Sequence, residues 1–172
     1  MKYSAIREKL MHYSISDETN KISTIETFNG IWAAEGAPLT PLMGKVLTSF
    51  PKFIMDGVEY YAHLKLMTNR WLMQDYEIRL EGKDGTTAIE FFCPAKWTYT
   101  SNYQGNDYQL QRHSLFNFHF TLTGGDNVVE FRDVTPFFTF SSMRKFEISS
   151  RNPVDHLLLS SSFFIAENRF FH

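Results

Sequence analysis

His113 and His119 stand beside and within the stretch "LFNFHFTLT", and imidazoles are the commonest protein ligands for metal ions. Along one continuous strand at about 3.3 Å per residue the two lie about 20 Å apart, too far to share an ion. No His-x-x-x-His or Cys-x-x-Cys spacing occurs anywhere, so no metal centre is expected. Cys93, in "FFCPAKW", follows two phenylalanines and precedes a proline, which suits a half-buried inert thiol at a strand end better than a nucleophile with a base beside it. "LTGGDN" carries adjacent glycines without a phosphate-loop lysine and reads as a hairpin, so no nucleotide or other cofactor is implied. Glu77, Glu81 and Glu90 have ordinary solvent-side strand spacing, and nothing selects an acid–base pair among them. Arg132 and Asp133, just before Pro136, fit an ion pair or a turn cap. No catalytic residue is assigned.

The remaining chemistry is binding chemistry. Lys65 and Arg70 in "HLKLMTNRW", with Arg144 and Lys145 in "SSMRKFEIS", are four cations that would meet an anionic head group if the fold brought their segments together. Trp71 and Tyr76 nearby have rings that tolerate half-wet surroundings, as at a lipid interface.

Composition narrows the rest. A chain of 172 residues, 43% hydrophobic, supports one domain with a substantial core. A net charge of −2 gives no overall positive field, so nucleic acid is not an expected partner. One cysteine permits no intramolecular disulfide, and "MKYSAIREKLMHYSIS" contains no apolar leader segment, so the cytoplasm is the expected compartment. Seventeen phenylalanines suggest a thick, strand-rich core.

The strands that must position these residues are marked by their turns. Asp56-Gly57 and Asp84-Gly85 each separate two apolar runs, the signature of a two-residue hairpin. Further turns are expected at Gly105-Asn106-Asp107 and at Gly124 to Asn127. Phe116, Phe118, Phe120 and Leu122 alternate with polar residues, and Phe146 with Ile148, Tyr108 with Leu110, and Leu64 with Leu66 repeat the pattern. One apolar face per strand means a barrel or sandwich wall. Residues 1–43 are ambiguous between a helix on Ile6, Leu10 and Tyr13 and a first strand beginning near Leu10.

The chain ends on "RNPVDHLLLSSSFFIAENRFFH". Asn152 as N-cap, Pro153 at the first helical position and Asp155 beyond it predict a helix from about Pro153 to Glu167. Leu157 to Leu159 and Phe163 to Ala166 sweep more than half the circumference at about 100° per residue, so the helix needs neighbours on every side. Its apolar run falls short of the roughly 20 residues a membrane span requires. One-sided strands and an all-round apolar helix are reconciled if the strands, from about Gly44 to Ser150, close into an antiparallel barrel around the helix.

That order of parts, hairpin after hairpin and then "KFEISSRNPVDHLLLSSSFFIAEN", resembles the tubby C-terminal-like superfamily, which includes the phospholipid scramblases and LURP-one-related proteins. The resemblance implies a single domain over residues 1–172, a barrel of about twelve strands around a C-terminal helix, and a non-catalytic module that docks on an anionic membrane surface or on a protein partner. The paired basic motif by which tubby proteins hold a phosphoinositide has no counterpart here, nor do the scramblases' cysteine-rich and proline-rich extensions. A small enzyme with an unrecognised polar pocket, or a barrel binding a small apolar ligand, is the alternative.

Overall fold

The computed structural model describes residues 1–9, 12–26, 52–66, 76–95, 97–114, 117–136 and 144–170. Twelve strands follow one another: β1 (Lys2–Lys9), β2 (His12–Ser16), β3 (Lys21–Glu26), β4 (Lys52–Met55), β5 (Val58–Leu66), β6 (Tyr76–Gly82), β7 (Thr87–Ala95), β8 (Thr98–Tyr103), β9 (Asn106–Arg112), β10 (His119–Gly124), β11 (Asn127–Asp133) and β12 (Lys145–Ser150). Each pairs antiparallel with its neighbours in sequence, and β1 closes on β12 through the register Tyr3↔Ile148 and Ala5↔Phe146. Closure leaves no unpaired edge. The helix α1 (His156–Phe170) runs inside.

The wall begins at Lys2, well before the Gly44 expected from sequence, and strands β1 to β3 resolve the ambiguous N-terminal region as far as Glu26, while residues 10–11 and 27–43 of it lie outside the described residues. Without those three strands β4 and β12 would have no partners with which to close. The turns fall at the glycine signals with two departures: Asp84-Gly85 belongs to a three-residue loop, residues 83–85, closed by the Gly82 amide donating to the Thr86 carbonyl at 3.0 Å, with only Gly85 at positive φ (76°), and one other turn is shifted. Asp56 and Gly57 both take positive φ (50° and 78°), as a two-residue hairpin of the primed kind demands. The next such pair is Gln104-Gly105 (51° and 77°), one residue earlier than the Gly105-Asn106-Asp107 expected, so Asn106 already pairs with Tyr103.

Inward residues alternate along the strands as the apolar pattern requires: Ile78 and Leu80, Ile89 and Phe91, Phe118, Phe120 and Leu122, Phe146 and Ile148 are all buried. Phe116, Leu64 and Leu66 lie outside the side chains described. The helix fills what the wall encloses. Leu159, Phe163, Ile165 and Ala166 are 0% exposed, and so are Ser160, Ser161 and Ser162. Phe163 packs edge-on against Tyr13 and Phe146, with centroids 5.6 and 5.2 Å apart, while Phe164 meets Phe53 at 4.9 Å on the next part of the wall. Edge-to-face pairs of this kind add to the burial itself.

The serines answer to the same enclosure. Ser161 Oγ donates to the Leu157 carbonyl at 2.7 Å, one turn earlier, and the Ser160 and Ser23 hydroxyls pair at 2.7 Å across to β3. Ser162 Oγ, turned by about 200° from Ser160 and so toward the opposite wall, is buried without a partner among the described residues, as is Ser101 Oγ on β8.

The helix starts three residues later than the sequence signals suggested. Asp155 is the N-cap, its Oδ1 accepting from the amides of Leu157 (2.9 Å) and Leu158 (3.2 Å). Asn152 is part of a clasp to the wall instead. Its amide donates to Asn127 Oδ1 at 3.1 Å, while Asn127 Nδ2 donates to the Asn152 carbonyl at 3.1 Å. The chain therefore needs residues 151–155 to turn from β12 into the barrel mouth before helical geometry can begin.

Candidate functional site: the connection rim

An up-and-down barrel has two rims, and here they differ in chemistry. At one rim β2–β3, β4–β5, β6–β7, β8–β9 and β10–β11 are joined by short turns, and the helix enters beside them. Asp17, Glu18, Asp56, Asp84, Asp107, Asp126 and Asp155 sit at this rim, against Lys2, Lys21, Lys83 and Arg151. At the other rim the strand ends flank the connections 27–51, 67–75, 113–118 and 134–144. Arg7, Arg112, Arg132, Arg144 and Lys145 lie here, together with His12, His113 and His119, against Glu8, Glu26, Glu77, Asp133 and Glu167 among the described residues. A chain of net charge −2 is thus polarised along the barrel axis.

The four cations singled out in the sequence divide accordingly. Arg144 and Lys145 open β12 at the connection rim, and Lys65, opposite Glu77 in the register, nearly ends β5 at the same rim. β5 and β12 are five strands apart around the wall, so these residues share a rim without adjoining. Arg70 lies outside the described residues. Lys145 is exposed, whereas Arg144 turns inward, pairs with Asp133 and lies 5.4 Å over the Phe146 ring. Asp133 also accepts from the Thr135 amide at 2.8 Å, so it is both ion-pair partner and turn cap, while Arg132 pairs with Glu130 at 2.7 Å.

Inside this rim, polar groups meet the last turns of the helix. Tyr13, opposite Arg7 in the β1–β2 register, donates its hydroxyl to Glu167. Burial, and then the Glu167 charge, push the Tyr13 phenol far above its ordinary range, with Arg7 and Arg144 acting weakly the other way. Cations near a helix C-terminus are favoured by its dipole, which accounts for two arginines at this depth. At the mouth of the same rim, Trp97 takes φ 68°, a conformation costly for a bulky residue, with the Arg112 guanidinium 5.3 Å over its ring. A strained tryptophan capped by a cation marks the rim further.

The wall carries ionic clusters that single residues did not reveal. Arg79 binds Glu77 (2.6 Å), Glu81 (3.4 Å) and Glu90 (2.8 Å), gathered from β6 and β7. Three carboxylates spent on one guanidinium are poorly placed for acid–base work. Near the turn rim, Glu59 bridges Lys52 at 2.6 Å and Lys83 at 2.8 Å, beside a groove of about 650 Å³. Hydrogen bonds from those lysines hold its carboxyl down at about 2, against an ordinary 4.5. Stability from this group is therefore complete above pH 4.5 and lost as pH falls through about 2. Acid unfolding of Glu59→Gln should lack that component while the rest of the profile persists, a comparison made by circular dichroism across pH 1.5–5.

A second cleft at the turn rim, about 380 Å³, is lined by Asn106, Tyr108, Asp126, Asn127, Asn152 and Asp155, but the clasp and the helix cap already occupy the Asn127, Asn152 and Asp155 side chains. Cys93 is buried. Among the described residues no three of His, Cys, Asp and Glu gather as a metal-ion site, and no helix is long and apolar enough to cross a membrane.

His113 and His119 overturn their expected separation. Their ring centroids are 5.0 Å apart, because the chain reverses between β9 and β10 instead of continuing as one strand. Burial, then the His113 and Arg132 charges, lower the proton affinity of His119.

No family model matches this chain, and neither a curated protein nor a solved structure does.

Proposed function

We propose that the chain is a non-catalytic docking module of the tubby-like kind, and that it binds an anionic membrane surface with its connection rim. The observation that carries this reading is the charge polarity: cations and the strained Trp97 at one rim, carboxylates in the turns of the other. Near an anionic bilayer such a molecule is oriented by the field, with each basic residue close to the surface contributing about 1 kcal/mol. Two further tryptophans, Trp32 and Trp71, belong to the sequences 27–51 and 67–75 that join strand ends of this rim. Tryptophan is enriched at membrane interfaces.

The filled interior supports a surface role in preference to the lipocalin kind of container. A helix whose residues 159–166 are all 0–1% exposed takes the volume an apolar ligand would use. The resemblance of the order of parts to tubby-like domains adds to the same reading.

Co-sedimentation with vesicles tests it. The protein should pellet with phosphatidylcholine/phosphatidylserine (4:1) vesicles at low salt, stay in the supernatant with phosphatidylcholine alone, and dissociate as salt shortens the Debye length to about 3 Å near 1 M. Absence of binding to every composition would exclude the membrane surface and leave the protein-partner form of the module or an enzyme.

A further inference from the structure

We propose that His113 and His119 together bind a divalent transition-metal ion of the zinc, nickel or copper(II) kind on the outer wall at the connection rim. The distance suits it. With a metal–nitrogen bond of about 2.1 Å each ring centroid lies about 3.2 Å from the ion, so two ligand rings stand about 4.6 Å apart at a right angle and about 5.3 Å apart at the tetrahedral angle. The observed 5.0 Å falls between those values, with the ring planes tilted by 40° rather than stacked.

The pair is held in place before any ion arrives. The His113 amide donates to the His119 carbonyl at 2.9 Å, continuing the β9–β10 ladder in which Phe120 faces Arg112. Both side chains therefore leave the same outer face as cross-strand neighbours. The reversal between them is laced by Arg112 Nε donating to the Ser114 carbonyl (2.6 Å) and by the Asn117 amide donating to Ser114 Oγ (3.0 Å). A site on strand ends with such support keeps its geometry better than one on a long loop. His119 Nε2, moreover, is shielded from solvent and has no hydrogen-bond partner among the described residues. A buried nitrogen without a partner is a group that a ligand would complete.

The surroundings set the strength. Arg132 faces His119 across the β10–β11 register and opposes a cation, while Glu130, paired to Arg132 at 2.7 Å, offsets it. Two protein ligands leave the other positions of a tetrahedral ion to water or to a donor from a partner, as in open rather than structural sites.

Isothermal titration of the full chain with Zn²⁺, in a non-chelating buffer at pH 7.5, should give one saturable site, with Cu²⁺ binding more tightly in the order expected for nitrogen ligands. His119→Gln and His113→Gln should each weaken Zn²⁺ binding by about tenfold or more, as losing one of two ligands requires. His113 is exposed, so His113→Gln keeps the test valid if His119→Gln fails to fold. No saturable binding, or unchanged binding in either folded variant, would overturn the assignment. The same titration is independent of vesicle binding.

Discussion

Leu158→Asp should not show a cooperative thermal transition, whereas Arg151→Asp, exposed just ahead of the helix, should melt within a few degrees of the parent. Leu158 is 2% exposed inside a closed wall, so the new carboxylate would have neither water nor a designed partner. Burying an uncompensated charge costs several kcal/mol even after it takes up a proton, against a typical total stability of about 5–15 kcal/mol. The helix has no second face to present, since Ser160, Ser161 and Ser162 are as buried as the leucines, and it cannot rotate the aspartate outward. Melting followed at 222 nm checks this. An unchanged transition in Leu158→Asp would mean that the helix does not lie inside the barrel.

The second large effect belongs to the connection rim. Arg132→Glu/Lys145→Glu, at two exposed positions of that rim, should weaken binding to anionic vesicles at low salt by roughly 30-fold or more, at about 1 kcal/mol for each cation lost. Lys83→Glu, on the opposite rim, changes the net charge by the same amount per residue and should have little effect. Co-sedimentation over a lipid titration separates the cases. Equal losses for both would mean that net charge alone governs binding. No loss for either would remove the rim from the interaction.

The barrel was legible because its strongest constraint is local. Leu157 to Leu159 and Phe163 to Ala166 allow no polar face, and Asp56-Gly57 fixes its two-residue turn while Gly85 marks the end of a three-residue one. The first strands were not legible, for a physical reason. Inward positions of β1 carry Ala5 and Arg7, while Ile6 points to the half-buried outer side, so the spacing of Ile6, Leu10 and Tyr13 imitates a helix. Asn152 and Pro153 have the residue types of a helix start, yet the chain first has to turn into the barrel mouth, and Asp155 takes the cap.

The site was less legible because it depends on register. Glu77, Glu81 and Glu90 look alike along the sequence, and only the β6–β7 pairing brings them to Arg79. His113 and His119 looked distant because "SLFNF" contains no glycine or proline to announce a reversal, and Phe116 completes an apparent alternation. The charge polarity of the rims is likewise invisible until strand directions are known. Once they are, the acidic residues of "SDET", "MDG" and "KDG" fall at one end together.

Orientation at the bilayer is the central claim, and two valines at opposite rims report on it. Val134, 47% exposed after β11, lies at the connection rim, and Val58, 49% exposed at the start of β5, lies at the turn rim. In a Cys93→Ala background, an environment-sensitive fluorophore on Val134→Cys should shift its emission to the blue when phosphatidylserine-containing vesicles are added, while the same fluorophore on Val58→Cys should not respond. A shift at Val58→Cys with none at Val134→Cys would contradict the account.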